Sequence, residues 1–172
     1  MPATHLAIAL GANMPSLAGH PCQTLLAVRP QLETLVGAWA ASASGGVSAP
    51  VKKAGQDIHC SWSPLLETAP MGGPSEQPTY LNAVVLITGE LGDPSSDQAL
   101  VLLDHLHALE HAFGRRRDRE QRWGPRTLDL DVLFWEELRL DHPRLLLPHP
   151  RMHLRGFVLQ PLLAAMQASV DW

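Results

Sequence analysis

The sequence has little of several features that would place it in a well-marked class of protein. It contains two cysteines, Cys22 and Cys60, with no C-x-x-C spacing and no accompanying ligand set for zinc, which is typical of a reducing cytosol. No apolar stretch is long enough to span a bilayer, and no basic segment precedes the short apolar run at 6–10. The phosphate-binding motif G-x-x-x-x-G-K-[ST] is absent, which excludes a P-loop enzyme. We therefore expect a cytoplasmic protein without a secretory signal or membrane anchor.

The chain also lacks an excess of positive charge. Its formal net charge is -4, from 13 Lys and Arg against 17 Asp and Glu, which argues against a general nucleic-acid or membrane partner. The cations are unevenly placed, because ten of the thirteen follow Gly114 and six arginines lie between Arg115 and Arg126. A dense arginine cluster in a chain without net positive charge predicts one anionic ligand, although a solvated surface loop can have the same composition.

Length and apolar content predict one compact domain covering residues 1–172. With 172 residues, 45% of them apolar, the chain can bury a core but has no room for two large domains. The predicted strands are 5–10, 61–68, 80–89 and 127–135, and the predicted helices are 16–36, 95–114 and 157–166. This order is that of the split βαβ pattern in ferredoxin-like α+β folds, βαββαβ, with an antiparallel sheet covered by helices. Proteins of this architecture have many different functions, so the architecture alone does not indicate one.

Proline and glycine modify several of these predicted elements. Pro30 is expected to kink or divide the first helix, and Pro64 to place the second strand at an edge or a bulge. Gly114 is expected to end the second long helix. Residues 37–57 are rich in Ala, Ser and Gly without periodicity, which predicts a long mobile loop.

The segment 122–131, with the sequence RWGPRTLDLD, combines cations and carboxylates at the start of the last predicted strand. Because side chains alternate across a strand, one face is predicted to carry Leu128, Leu130, Val132 and Phe134, and the other Thr127, Asp129 and Asp131. Two carboxylates on one face can converge on Mg²⁺, which usually takes one or two carboxylates together with water and phosphate oxygens. A bare D-x-D is more often an ordinary solvated strand face.

The neighbouring arginines favour the metal interpretation. Arg115, Arg117, Arg122 and Arg126 lie between a helix end and the carboxylate strand. Guanidinium groups stabilise the charge that shifts during phosphoryl transfer, and divalent ions shared by carboxylates do the same. Carboxylates for metal beside guanidinium groups for phosphate therefore predict a nucleoside triphosphate as a ligand.

Several ordered blocks resemble the family of 6-hydroxymethyl-7,8-dihydropterin pyrophosphokinases. The segment 122–131 is similar to the signature of that family. The other blocks, in the order of the family, are GAN at 11–13, ETAPMG at 67–72, QPTYLNA at 77–83, Glu110 with GRRR at 114–117, and PHPRMHLRGFVL at 148–159. The resemblance reaches from about residue 6 to 163, and the six ordered blocks together are more specific than any one motif.

This resemblance implies a site for ATP and two Mg²⁺ ions. Asp129 and Asp131 match the carboxylates that hold the metal pair, and Arg115 and Arg126 match the cations that act on the transferred group. The remaining residues implied on the nucleotide side are Glu110, Arg117, the site-closing Trp123, the backbone around Val132, Arg144, His149 and Arg155. Transfer of pyrophosphate from ATP to the pterin would release AMP, a step of folate biosynthesis.

The resemblance also implies a pterin site. A flat heterocycle is held by aromatic stacking on its faces and by polar groups at its edge. Tyr80, the only tyrosine, and Phe157 match the stacking pair, and Thr68, Asn82 and the backbone near Met71 match the edge contacts. The family expectation is a monomer that binds ATP and pterin, with no nucleic-acid or membrane partner.

Three other interpretations remain open from the sequence. A ferredoxin-like RNA-binding module could carry an arginine-rich loop, although the net charge is -4 and the strands lack an aromatic-rich run. A metal-dependent phosphodiesterase could use the same Asp pair. A non-catalytic relative could serve as the partner of another folate enzyme, which the intact motifs argue against.

Overall fold

The computed structural model describes residues 4–43, 58–120 and 122–169. These residues form an α+β arrangement of helices on an antiparallel sheet, as the sequence predicts. The predicted loop at 37–57 lies outside the described residues from position 44 onward. No helix within the described ranges is long and apolar enough to cross a membrane.

The central sheet contains five strands, all of whose pairings are antiparallel. Its strands are β1 (Thr4–Ala12), β2 (Ile58–Trp62), β3 (Leu66–Thr68), β4 (Tyr80–Gly89) and β5 (Asp129–Trp135). The order is β2-β4-β1-β5. The strand β3 pairs with the same edge of β4 as β2, further along that strand. A separate hairpin, missed by the sequence prediction, joins β6 (Leu140–His142) to β7 (Leu145–Leu147).

Three helices cover the two faces of the sheet in the described part of the chain. The helices α1 (Pro21–Ala43) and α2 (Ser96–Ala112) pack on one face, and α3 (Gly156–Ala168) packs on the other. We call the cluster beneath α1 and α2 the first core and the cluster beneath α3 the second core. Side chains that alternate along the strands supply both cores, because Ile8 and Val85 belong to the first core while Ala7 and Val84 belong to the second.

The helix α1 corrects the predicted start of the loop at residue 37 and excludes a division of the helix at Pro30, which leaves the predicted kink untested. It continues to Ala43, so residues 37–43 are helical and not part of a loop, and it is not divided at Pro30. Trp39 explains the extension: its buried ring packs edge-on against Trp135 with centroids 4.9 Å apart, and its indole Nε1 donates to the Gln98 carbonyl oxygen at 3.0 Å. Pro30 is tolerated on the exposed face, where water can satisfy the carbonyl that loses its helical donor.

Two of the observed strands also differ from the predicted ones. The predicted strand 61–68 is divided into β2 and β3 by Ser63 and Pro64, and both pieces pair antiparallel with β4. The register between β1 and β5 shifts at Ala7 and Ile8, which adds one residue to β5. Because of this shift Phe134 packs against the second core and not, as predicted, with Val132 in the first.

The helix boundaries near the site follow the predicted signals. The Ser95 hydroxyl accepts from the Gln98 amide at 3.3 Å and caps α2, and Gly114 has a φ of 89° just beyond the helix end. The strand β5 begins at Asp129, so Thr127 and Leu128 precede it and are not part of the strand as predicted.

Candidate active site

A pocket lies over the ends of β1, β4 and β5 on the face of the sheet that α3 covers. Its volume is about 110 Å³. It is lined by eleven of the predicted site residues: Thr68, Met71, Tyr80, Asn82, Trp123, Arg126, Asp129, Asp131, His149, Arg155 and Phe157. Residues from six separate stretches of sequence therefore meet at one place.

Asp129 and Asp131 face this pocket from alternate positions of β5, opposite Gly11 and Ala9 of β1. Burial opposes ionisation of Asp129, but Arg115 and Arg126 outweigh it and lower the pKa of that carboxyl. Burial, followed by repulsion from Asp129 and Glu110, raises the pKa of Asp131 to about 7. The ionised form of Asp131 is therefore disfavoured, because the neighbouring cations do not balance its charge.

Arg115 is buried behind the carboxylate pair and does not line the pocket. Its Nη1 donates to Glu110 at 2.7 Å, to Asp129 at 2.5 Å and to the Leu128 carbonyl oxygen at 3.2 Å. Its Nε and Nη2 donate to the two carboxylate oxygens of Glu120 at 2.9 and 3.0 Å. Arg126 approaches Asp129 from the pocket side, with Nη1 2.7 Å from Oδ2.

Glu110 connects α2 and β5 to the segment between them, which contains Arg115, Arg117 and Arg126 and which we call the arginine loop. Its side chain is 1% exposed and accepts from Arg115, from Arg117 at 2.7 Å and from the backbone N–H of Leu130 at 2.8 Å. Burial raises the pKa of Glu110, while the two arginines and the backbone donor oppose that shift. A buried carboxylate with this many donors is fully paired, so Glu110 fixes the arginines relative to the strand.

Asn13 ties the loop before β4 to the loop before β5. Its side-chain Oδ1 accepts from the Arg126 amide at 2.8 Å, and its Nδ2 donates to the Pro78 carbonyl oxygen at 3.1 Å. The Gln77 amide donates to the Trp123 carbonyl oxygen at 3.1 Å. Asn13 is 2% exposed, so these bonds lie in a protected place and hold the two loops together.

Trp123 lies at the point where these two loops meet. Its φ of 59° is uncommon for a bulky residue, and Gln77, Gly72 and Gly73 lie against one side of it. A Cβ on Gly73 would lie 2.1 Å from the Trp123 carbonyl oxygen, so only glycine fits there. The guanidinium groups of Arg122 and Arg151 lie 4.7 and 5.9 Å from the Trp123 ring.

Apolar and amide groups form the opposite wall of the pocket. Asn82 is buried, and its Nδ2 donates to the Thr68 hydroxyl at 2.8 Å and to the Leu66 carbonyl oxygen at 3.2 Å. The Tyr80 hydroxyl donates to the Gly124 carbonyl oxygen at 2.9 Å, which also holds the arginine loop. Phe157 enters from α3, with the Arg155 guanidinium 5.6 Å from its ring.

The remaining predicted residues occupy different surroundings. His149 lines the pocket, and burial together with Arg155 and Arg151 lowers its pKa. The Val132 side chain is buried in the first core, and Arg144 pairs with Asp104 on α2 away from the pocket lining. The roles predicted for the backbone at Val132 and for Arg144 stay predictions.

The sequence prediction missed three side chains that shape the site: Asn13, Gln77 and Glu120. Asn13 and Gln77 lie within the similar blocks, yet neither residue type by itself indicates a loop-to-loop bond. Glu120 follows the short 3₁₀ turn Arg117–Arg119 and looked like one charge among many in a polar loop. Its contact with Arg115 depends on the folded path of that loop.

The arrangement defines a class of protein. An α+β fold places two carboxylates, several guanidinium groups and aromatic walls around one pocket, which suits a metal-bound polyphosphate beside a flat ring. Residues 7–167 match the model of the 7,8-dihydro-6-hydroxymethylpterin-pyrophosphokinase (HPPK) family. The chain belongs to this family.

Three proteins of similar sequence share one name, which is close to that of the family. The chain is 48% identical over 100 residues to the 2-amino-4-hydroxy-6-hydroxymethyldihydropteridine pyrophosphokinase of Pseudomonas aeruginosa, covering 58% of this chain and 56% of that protein. It is 47% identical over 90 residues to the protein of that name from Haemophilus influenzae, covering 52% and 51%. It is 43% identical over 96 residues to the one from Synechocystis, covering 56% and 44%. The matches span about half the length of these relatives.

Proposed function

We propose that this protein transfers pyrophosphate from ATP to 6-hydroxymethyl-7,8-dihydropterin in folate biosynthesis, giving AMP and the pterin diphosphate. Membership of the family supports this activity, and so do the names of the relatives. The observation that carries the proposal is one pocket lined by Asp129, Asp131 and Arg126 on one side and by Tyr80 and Phe157 on the other. Such a pocket can hold a phosphate chain against a flat ring.

We also propose that the fold is ferredoxin-like and that residues 1–172 act as a single pyrophosphokinase domain. The strand order β2-β4-β1-β5 with antiparallel pairs, crossed by α1 and α2, supports this topology. A cytoplasmic location and a monomeric state stay predictions.

Asp129 and Asp131 fit a pair of Mg²⁺ ions. Carboxylate oxygens are the ligands that Mg²⁺ prefers, and a bound cation would favour the ionised form of Asp131 that its surroundings otherwise disfavour. No group of three or more His, Cys, Asp or Glu among residues 4–43, 58–120 and 122–169 is arranged to hold a metal by itself. This is consistent with a site that needs substrate phosphate oxygens to complete it. Bound there, Mg²⁺ would neutralise charge on the phosphate oxygens.

The protein's own cations would orient the phosphate chain. Arg126 and Arg155 line the pocket and can donate to phosphate oxygens, and His149 is held mainly uncharged by its surroundings and can add a neutral hydrogen bond. In this pose the pterin hydroxymethyl oxygen attacks the β-phosphorus in line, the bond between the α and β phosphates breaks, and AMP leaves. Positioning and charge stabilisation would supply most of the rate enhancement.

The pterin would lie against the aromatic wall. Tyr80 and Phe157 offer ring faces, and Thr68 and Asn82 offer polar groups at the edge of the pocket. The exposed Met71 lies in the loop that contacts Trp123, so that loop can cover the ring when it binds.

The test is product analysis after incubation with Mg²⁺ and ATP, with and without the pterin. We expect AMP and pterin diphosphate in equal amounts, and a loss of at least about a thousandfold in kcat for Asp129→Ala, because the metal and both nearby arginines lose their shared partner. Exposed Asp141→Asn is the matched control and should keep full activity.

Other products would contradict the proposal. ADP or inorganic phosphate formed without the pterin would favour a phosphodiesterase or another hydrolase. Retention of RNA on a filter at moderate salt, without AMP formation, would favour the RNA-binding module.

A further inference from the structure

Arg115 has almost no hydrogen-bonding capacity left for a ligand. Its side chain is 3% exposed, and Nη1 is committed to Glu110, Asp129 and a backbone carbonyl. The edge formed by Nε and Nη2 is filled by Glu120, with contacts of 2.9 and 3.0 Å. A guanidinium group has five N–H donors, and in this arrangement at most one remains.

Glu120 differs from the other two carboxylates around Arg115. Glu110 is 1% exposed and also holds Arg117 and the strand β5, and Asp129 belongs to that strand. Glu120 is 18% exposed and lies on the arginine loop beyond the turn at Arg117–Arg119. It is therefore the partner that can leave without disturbing the sheet.

The geometry of this contact is that of a phosphate bound to arginine. Two oxygens of one anion accept from Nε and Nη2 of the same guanidinium, which is how carboxylates and phosphates are recognised by arginine in a forked pair. Glu110 and Asp129 would keep the guanidinium oriented if Glu120 moved away.

We propose that Glu120 is an internal anion that occupies the phosphate-binding edge of Arg115 until the polyphosphate chain of a substrate displaces it. This deepens the proposed function, on which it rests, by making Glu120 a positioning residue that competes with the substrate. The exchange replaces one charged partner of Arg115 by another, so the buried guanidinium never remains unpaired. The cost of releasing Glu120 lowers the affinity for polyphosphate.

The test is calorimetric titration of the protein with inorganic tripolyphosphate in the presence of Mg²⁺, and then with ATP and Mg²⁺, without pterin. Glu120→Gln keeps the size of the side chain and removes its charge, so we expect the Kd for tripolyphosphate to fall by about fivefold. The matched control is Asp118→Asn, which removes one charge from the same loop at a side chain that is 74% exposed. At physiological salt we expect this control to change the Kd by less than about twofold.

A second background separates exchange at Arg115 from a general effect of charge. In Arg115→Lys the forked pair is lost, so adding Glu120→Gln should no longer tighten tripolyphosphate binding. The same tightening in both backgrounds would overturn the proposal. So would an unchanged or raised Kd for Glu120→Gln in the otherwise native chain.

Nuclear magnetic resonance of the arginine side chains tests the contact directly and does not depend on Arg115→Lys folding. In the ligand-free native chain the Nε–H of Arg115 should exchange slowly with water, and Glu120→Gln should speed this exchange. Tripolyphosphate should shift the Nε resonance in both proteins. Equal exchange rates in both ligand-free proteins would contradict the proposal. Neither measurement uses turnover, so absence of AMP formation would remove the proposed function without deciding this one.

Discussion

Asp129 and Asp131 are two residues apart on one strand, yet their surroundings shift their pKa values in opposite directions. Arg115 and Arg126 overcome the effect of burial on Asp129, whereas burial and two neighbouring carboxylates raise the pKa of Asp131 to about 7. The D-x-D spacing predicted that both side chains would share a face, because that follows from strand geometry. The difference in pKa was not predictable, since it depends on which arginine reaches which carboxylate in the fold.

The shift at Asp131 predicts a pH-dependent stability. Between the ordinary value of 3.8 and about 7, the folded state holds a proton that the unfolded state has lost. The free energy of unfolding contributed by this group therefore falls as the pH rises through that window. We expect Asp131→Asn to raise the melting temperature of the metal-free protein at pH 8, by about 3 °C for each kcal/mol relieved.

The measurement is a thermal melt in a chelating buffer at pH 5, 6, 7 and 8. The difference between Asp131→Asn and the native chain should be small at pH 5 and should grow with pH. Asp141→Asn, at an exposed position of β6, provides the control for loss of one carboxylate. A stabilisation that is equal at all four pH values would contradict this assignment of charge.

At the scale of elements, local signals predicted the centres of helices and strands better than their ends. Ser95 and Gly114 marked α2 correctly because capping and a left-handed glycine act within a few residues. The last turns of α1 were missed because the packing of Trp39 against Trp135, distant in sequence, overrides the Ala- and Ser-rich composition there. The added residue in β5 was missed for a similar reason, since pairing with β1 creates it.

Replacement of the exposed Pro30 is predicted to stabilise the helix α1. It lies inside α1 without an N–H for the helical ladder. Replacement by Ala supplies that donor and removes the steric conflict, so Pro30→Ala should raise the free energy of unfolding by about 1–3 kcal/mol. Urea denaturation provides the measurement. Gln31→Ala, at the next exposed position, should change the value by less than about 0.5 kcal/mol. A lower stability for Pro30→Ala would show that the helix depends on the proline.

At the scale of the whole molecule, the sheet separates two cores that have different relations to the pocket. The first core, under α1 and α2, contains most of the large buried side chains. The second core, under α3, is smaller, and the same helix supplies Phe157 and Val158 to the pocket wall. Packing beneath α3 therefore positions one wall of the site, whereas packing under α1 and α2 supports the sheet as a whole.

Matched leucines on opposite faces test this division. Leu102 is 1% exposed in the first core and Leu162 is 6% exposed in the second. Each change to Ala should lower the free energy of unfolding by about 2–5 kcal/mol, because each leaves a cavity. Only Leu162→Ala should also raise the KM for the pterin, by about threefold or more, since it loosens α3. Steady-state kinetics at a temperature where both variants remain folded would show this, and equal effects on the KM would contradict it.

The contact of Gly73 with Trp123 restricts which amino acids can replace this glycine. Gly73 has a φ of 77°, and any Cβ there would overlap the Trp123 carbonyl oxygen, so two independent obstacles oppose every other amino acid. Gly114 has a φ of 89° but nothing within 4 Å of its added Cβ, so only the backbone angle opposes replacement. In a library randomised at both positions and selected for function, position 73 should return glycine alone, while position 114 should also admit asparagine.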